Sequence, residues 1–246
     1  MSDTHEDGED AAALGRSFGV PSGVRRVFPS VPGATRIVLV RHGEARCNVD
    51  GIVGGAGGCT GLTDLGRRQV AALAARLGAS DELAGASGLY ASVLPRAVET
   101  AELLRPVVGD GSSGVVQDCC LCELHPGEAD GLGWQEVVDR FGIPEWDADP
   151  SLLIAPGGES WSGFVARAAG AVRDLAERHP GELVVAAVHA GVIESTLIAF
   201  LDIPPAASRR GWVRIVHASL TEWEWVPTES RWVLIRFNDA CGVPTD

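Results

Sequence analysis

The 246-residue chain contains no lysine: all 20 of its basic residues are arginine. That excludes Schiff-base catalysis and the phosphate-gripping lysine of P-loop proteins. Positive charge is scarce altogether. Asp and Glu number 33, the net charge is −13, and a body this acidic repels nucleic-acid backbones and anionic membranes. No apolar run approaches the roughly 18–20 residues of a membrane span. Met1 to Asp10 carries five acidic residues and lacks the apolar stretch of a secretory signal. The expectation is a soluble, cytoplasmic protein with no nucleic-acid or membrane partner. Cysteine is too sparse for a disulfide framework, with six residues in the whole chain, and a reducing compartment would keep them as thiols. The lysine-free, Arg- and Ala-rich composition points to a GC-rich bacterial genome.

Enough apolar sequence is present, at 46% of residues, to bury a sizeable core. Residues 1 to about 34 are acidic and rich in Gly, Ser and Pro, and read as a tail with little order. From Thr35 the pattern becomes regular. Arg36 to Val40 is an apolar run of the kind buried on both faces of a sheet. Thr63 is placed to cap a helix from Asp64 to about Leu77. Gly88 to Ala91 predicts a strand, and Pro95 to Leu104 a helix with proline in its first turn. Val115 to Gln117 is a third strand, Glu159 to Arg178 a helix, Leu183 to Val188 a fourth strand and Val192 to Leu201 a helix. Ser219 to Val226 and Arg231 to Phe237 close the chain as a hairpin. The alternation predicts an α/β three-layer sandwich, a mostly parallel sheet with helices on both faces, in one domain over residues 35–246.

In such sheets ligands bind at the carboxyl ends of the strands. Three ends carry unusual residues: Arg41-His42-Gly43-Glu44 after the first strand, Arg96 beyond the second, and His189 after the fourth. Arginine pairs bidentately with phosphate oxygens, and two arginines neutralise a dianion. A neutral imidazole held between them can attack phosphorus. Glu123, following the third strand in an apolar Cys-Leu-Cys context, can protonate the leaving oxygen and later activate water.

Taken together, these residues resemble the histidine phosphatase superfamily, which includes the cofactor-dependent phosphoglycerate mutases. The resemblance rests on Arg41-His42-Gly43-Glu44 with Asn48, Leu62-Thr63-Asp64-Leu65-Gly66 with Gln69, and Ser92 to Ala97 with Thr100-Ala101. Leu121-Cys122-Glu123 with Gly127 and Gly131, Pro156 to Ser160, and His189-Ala190-Gly191 complete it. It implies the phosphoglycerate mutase-like fold, with a small cap formed by about 124–160. It also implies His42 as nucleophile, and Arg41, Asn48, Arg96 and His189, with the Ala190 backbone N–H, holding the phosphoryl group. Glu123 becomes the general acid and base, with Glu128 and Asp130 as nearby alternatives. No metal and no cofactor is implied, because the arginines supply the electrostatic stabilisation.

The expected function is hydrolysis of a small phosphorylated metabolite. A phosphoglycerate-type mutase is the alternative, weakened by the short stretch between Glu123 and His189, whose only basic residues are Arg140, Arg167, Arg173 and Arg178. A phosphate-binding scaffold and a phosphoprotein phosphatase are further alternatives. Relatives occur as monomers, dimers or tetramers, so a homodimer is one open assembly. The chain departs from the family at Cys59-Thr60-Gly61, where Asp and Pro are common, and at Ala190, where glycine is common. Arg46 reads as a solvated charge or a substrate contact. Cys119 and Cys122 have C-x-x-C spacing with His125 close by, yet lack a second ligand pair, so buried thiols at a strand end are expected. Trp134, Trp146 and Trp161 are expected to pack the cap, with stacking on substrate as the alternative.

Overall fold

The computed structural model describes residues 30–112, 114–203 and 213–244, so most of the expected tail lies outside the described residues. Six strands form one sheet in the order β3-β2-β4-β1-β5-β6. They are β1 (Thr35–Arg41), β2 (Ala86–Ala91), β3 (Val115–Gln117), β4 (Leu183–Val188), β5 (Leu220–Val226) and β6 (Arg231–Asp239). Strands β3, β2, β4 and β1 are mutually parallel, β5 is antiparallel to β1, and β6 is antiparallel to β5. The mostly parallel sheet is thus as expected.

Strands β1 and β4 lie in the middle and read as continuous apolar runs because helices cover both faces. Alternate residues of β1 feed two cores. Ile37 and Leu39 join Phe164, Val172, Leu175, Val192 and Trp223 on one face. Val38 and Val40 join Val70, Leu73, Leu77, Leu89 and Leu104 on the other.

The helices are α1 (Arg46–Val49), α2 (Asp64–Ser80), α3 (Pro95–Leu104), α4 (Trp134–Phe141), α5 (Trp161–Arg178) and α6 (Ala190–Phe200). Thr63 caps α2 as expected, its hydroxyl accepting from the Gly66 N–H at 2.9 Å. Two predicted helix starts are corrected. Helix α5 begins at Trp161 because Ser160 is its cap, accepting from the Gly163 N–H at 3.1 Å. Helix α6 begins two residues before Val192, because His189 is extended and serves as its N-cap.

Within the predicted cap segment, α4 and two short turns gather Ala129, Val137 and Ala155 around Val53, a small apolar cluster apart from the two main cores. The backbone ties this segment to the loop after α1: Val53 N–H donates to the Leu132 carbonyl (2.8 Å) and Gly131 N–H to that of Val53 (2.9 Å). Trp146 stacks on Trp161 at 5.7 Å, whereas Trp134 is 54% exposed and packs no core. The expectation that all three tryptophans pack the cap fails for Trp134, because it stands at the first position of a short helix whose buried side is Val137.

Candidate active site

Parallel pairing of β1 with β4 sets Arg41 opposite Val188, so the next residue on each strand, His42 and His189, leaves the sheet at the same edge. Their rings meet edge to face, with centroids 5.1 Å apart. Strand β2 flanks β4 on its other side, and α3, which follows it, delivers Arg96 from its first turn. Arg96 Nε donates to His42 Nε2 at 3.1 Å and to His189 Nδ1 at 3.2 Å. Its Nη1 donates to the Gly54 carbonyl at 2.6 Å, which anchors the guanidinium to the glycine-rich loop after α1, residues 51–61. Exposure is 3% for His42, 4% for Arg96 and 0% for His189, too little for solvent to compete for these contacts.

The loop after β1 is strung between helices. Gly43 N–H donates to Thr100 Oγ1 on α3 (3.2 Å), and Glu44 N–H to Gln69 Oε1 on α2 (2.9 Å). Glycine is required at position 43: a Cβ there would come within 2.5 Å of the Gly66 carbonyl oxygen.

Hydrogen bonding fixes the ring chemistry. His42 Nδ1 lies 2.7 Å from the Gly43 carbonyl and must carry the proton to bond it, which leaves the Nε2 lone pair as the reactive one. Burial, followed by the charges of Arg96, His189 and Arg41, holds His42 well below the usual imidazole range. It is therefore neutral at physiological pH, the form in which an imidazole can act as a nucleophile. His189 is likewise depressed, by burial and then by Arg96 and Arg41. Because its Nδ1 accepts from Arg96, its Nε2 carries the hydrogen. That Nε2 and Arg41 Nε are buried without a hydrogen-bond partner among the described residues. Orphaned buried donors cost about 1–3 kcal/mol each, a cost that an oxyanion accepting from them would remove.

Arg41 is oriented by residues beyond the sequence motifs. Its Nη1 donates to the Ile215 carbonyl, and its Nη2 to His217 Nε2 at 2.8 Å. Burial lowers the guanidinium to about 10, with Glu123 opposing and Arg96 adding to the shift, so it remains charged. His217 was not among the predicted residues. Burial, then the Arg41 charge, brings it down to about 3, which keeps it neutral and able to accept. Its ring centroid is 5.7 Å from that of His42. The one sequence signal was a histidine at a strand entrance, 176 positions from Arg41, too distant for any motif.

Glu123 meets the start of α6. Its Oε2 accepts from the Gly191 N–H at 3.1 Å, and its Oε1 from its neighbour Leu124 at 3.2 Å. The positive end of the helix suits a carboxylate. A Cβ at Gly191 would stand 2.2 Å from Glu123 Oε1 and 2.8 Å from the Phe164 ring. Gly191→Ala is therefore expected to displace the Glu123 carboxylate, lowering kcat at least about 10-fold and stability by about 1–3 kcal/mol. Steady-state kinetics and urea midpoints check this, and a variant with wild-type turnover would mean that the carboxylate position is immaterial.

The alternative acids are engaged elsewhere or exposed: Asp130 accepts from the Gly57 and Gly58 N–H groups (2.7 and 2.9 Å), and Glu128 is exposed. Glu194, on α6, went unnoticed in the sequence, where its signal was a lone acid in an apolar run. Burial, then the charge of Glu123, pushes it up to about 7.

Asn48 is exposed, and its Oδ1 accepts from the Ala45 N–H at 3.3 Å, so the carbonyl end of its amide is committed to the backbone. Ala190 opens α6, and the first-turn N–H groups of a helix can receive an anion. Arg46 is exposed. The cysteines depart from expectation: Cys122 is buried, but Cys119 and Cys120 are exposed, because the turn that carries them packs only Leu121 inward.

Buried neutral histidines make stability depend on pH. His42, His189 and His217 are all depressed in the fold, so the unfolded chain binds more protons below the ordinary imidazole value of about 6.5. Their contribution is full above that value and is lost as pH falls toward the folded values. Glu194 is raised and runs oppositely, its contribution being present below about 4.5 and lost as pH rises through about 7. Melting curves between pH 5 and 7 should therefore show a shallower acid loss in His217→Asn and a steeper one in Glu194→Gln. Parallel curves for wild type and both variants would contradict this.

Comparison with known proteins agrees with the geometry. The family described as histidine phosphatase superfamily (branch 1) matches residues 37–240. A metal-independent phosphoserine phosphatase of Arabidopsis thaliana is 31% identical over 195 residues, covering 77% of this chain and 79% of that protein. Phosphoglycerate mutase-like protein 4 of the same plant is 34% identical over 166 residues, covering 65% of this chain and 68% of its own. Among solved structures, Bacillus stearothermophilus YhfR superposes with a TM-score of 0.72 at 28% identity, over 86% of this chain and 100% of that one. A mycobacterial glucosyl-3-phosphoglycerate phosphatase complexed with VO3 gives 0.68 at 27% identity, over 83% and 99%. Among the described residues no helix is long and apolar enough to cross a membrane. The chain belongs to the histidine phosphatase superfamily, branch 1, and is an enzyme of its phosphatase class.

Proposed function

We propose that the chain hydrolyses a small phosphomonoester through a phosphohistidine on His42. The observation that carries this reading is the neutral, buried His42, its Nε2 lone pair beside Arg96 and next to the unpartnered N–H groups of His189 and Arg41. In the first step His42 Nε2 forms a bond to phosphorus as the bond to the ester oxygen breaks. Glu123 gives that oxygen its proton. In the second step Glu123, now ionised, takes a proton from water. The resulting hydroxide bonds to phosphorus, the P–N bond breaks, and phosphate leaves with His42 neutral again. Arg41, Arg96 and His189, with the start of α6, carry the charge of the transferring group, and Asn48 serves through its free amide end.

The cap segment, about 124–160, is the natural determinant of substrate choice, being tied to the glycine-rich loop beside Arg96. Phosphoserine and glucosyl-3-phosphoglycerate, named for two of the relatives, both place a carboxylate near the phosphoester. They head the substrate panel for that reason.

The test is hydrolysis of a generic aryl phosphate at mildly acidic pH with chelator present, followed by the panel. Chelator-resistant phosphate release is expected. Turnover lost on chelation and restored by magnesium or manganese would overturn the mechanism. Transfer to an added hydroxy-acid acceptor in preference to water would make the protein a mutase instead.

A further inference from the structure

Outside the reaction chemistry, the turn between β3 and the cap segment gathers three soft ligands. Cys119 Sγ lies 3.7 Å from Cys122 Sγ and 3.6 Å from His125 Nε2, and all three ligand atoms lie within 4.8 Å of one another. Zinc bonds thiolate sulfur at about 2.3 Å and imidazole nitrogen at about 2.0–2.1 Å in tetrahedral geometry. Two sulfurs sharing one ion then stand roughly 3.8 Å apart, and a sulfur and a nitrogen roughly 3.6 Å. The two observed edges have those lengths, whereas a disulfide needs sulfurs at about 2.05 Å.

The surroundings are those of a supported ligand set. Metal-binding histidines turn their other ring nitrogen toward a carboxylate, and His125 Nδ1 faces Glu159 Oε2 at 3.7 Å. Glu159 is itself gripped by Arg167 through Nε and Nη2 (2.7 Å each) and accepts from the His125 backbone N–H (2.9 Å). Arg167 also donates to the Cys120, Cys122 and Glu123 carbonyls, holding the backbone that presents the ligands. Ser92 Oγ donates to Cys122 Sγ at 3.3 Å. The expectation that a second ligand pair is needed assumed a closed four-residue site. Cys119 is exposed and His125 only partly buried, so a fourth position on an ion held by the three is open to solvent.

We propose that Cys119, Cys122 and His125 bind a Zn2+ ion, with Glu159 supporting His125. Binding forms two Zn–S bonds and one Zn–N bond, and the two thiol protons pass to solvent. Cys122 and His125 bracket Glu123 in the chain, so the ion fixes the segment that carries the proposed general acid without entering the reaction.

The test uses the full chain, reduced with a phosphine, stripped with chelator and titrated with Zn2+ against a chromophoric competitor. Co2+ serves in parallel as a spectroscopic probe. Expected are one zinc per chain, a thiolate-to-cobalt charge-transfer band, and a melting temperature that rises with zinc. Cys119→Ser, Cys122→Ser and His125→Ala should each weaken binding at least about 10-fold, while Cys120→Ser and Cys241→Ser leave it unchanged. Cys119 is exposed, so its serine variant keeps the test valid even where the buried Cys122 variant misfolds. Absence of stoichiometric uptake by reduced protein, or uptake undiminished in Cys119→Ser and His125→Ala, overturns the proposal.

Discussion

His42→Ala is expected to lower kcat at least about 10⁴-fold, because removing a covalent nucleophile abolishes the route rather than weakening it. Wild-type enzyme quenched during turnover should retain an acid-labile phosphoryl group, and the variant none. The substitution removes a ring that is buried and bonded by Arg96 and the Gly43 carbonyl. Folding must therefore be checked by circular dichroism before the kinetic loss is interpreted. The variant also tests the phosphate site separately from the chemistry. Arg41, Arg96 and His189 remain, so inorganic phosphate should still bind and raise the melting temperature. Turnover surviving in folded His42→Ala would sink the phosphohistidine mechanism.

Glu123→Gln comes second in size, with kcat expected to fall about 10²–10⁴-fold, the usual worth of a positioned general acid. The leaving group sharpens the test. A nitrophenolate departs without a proton, so formation of the phosphoenzyme from an aryl phosphate should suffer little. An alkyl ester such as phosphoserine needs the proton and should suffer the full loss. Glutamine preserves the acceptor oxygen that meets the Gly191 N–H, so the comparison isolates proton transfer from packing. Equal losses with aryl and alkyl esters would assign Glu123 a merely structural part, and Glu194, its neighbour on α6 with a raised affinity for protons, would become the candidate acid.

Electrostatics of the whole molecule oppose those of the site. The chain carries −13, yet the proposed phosphate site holds Arg41 and Arg96, whose positive charges help to depress both neighbouring histidines. The outer field is screened within about 8 Å at physiological salt, whereas the buried arginines are not. Capture is thus decided at short range.

Much of this was legible in the linear sequence, for reasons that can be named. Arg36 to Val40 could be read as a doubly covered strand because its side chains are apolar on both faces, and β1 feeds two cores. Pro95 marked the start of α3 because a proline costs nothing in a helix's first turn, and that start is what delivers Arg96. Helix α4 was legible only in part: Trp134, Val137, Val138 and Phe141 have the i, i+3, i+4, i+7 spacing of a helix face, but the element is eight residues long and lacks a side-chain cap, so its bounds were not marked.

Residue types and their attachment to strand ends are written in the chain itself: Arg41 closing β1 with His42 next, Arg96 after β2, His189 after β4. Those are local facts, written in apolar runs and the residues that follow them. Only the fold settles which nitrogen of His42 is free, because that depends on the Gly43 carbonyl and on Arg96, 54 positions away. It alone brought His217 to Arg41, since antiparallel pairing of β5 with β1 draws the Ala218 N–H onto the Arg41 carbonyl at 3.0 Å. And it alone set Cys119 Sγ 3.7 Å from Cys122 Sγ and 3.6 Å from His125 Nε2, because that depends on the hand of one turn and on Arg167 across the fold. Chain connectivity fixes neighbours along the backbone, whereas sheet pairing and buried hydrogen bonds fix neighbours in space, and the chemistry here needs both.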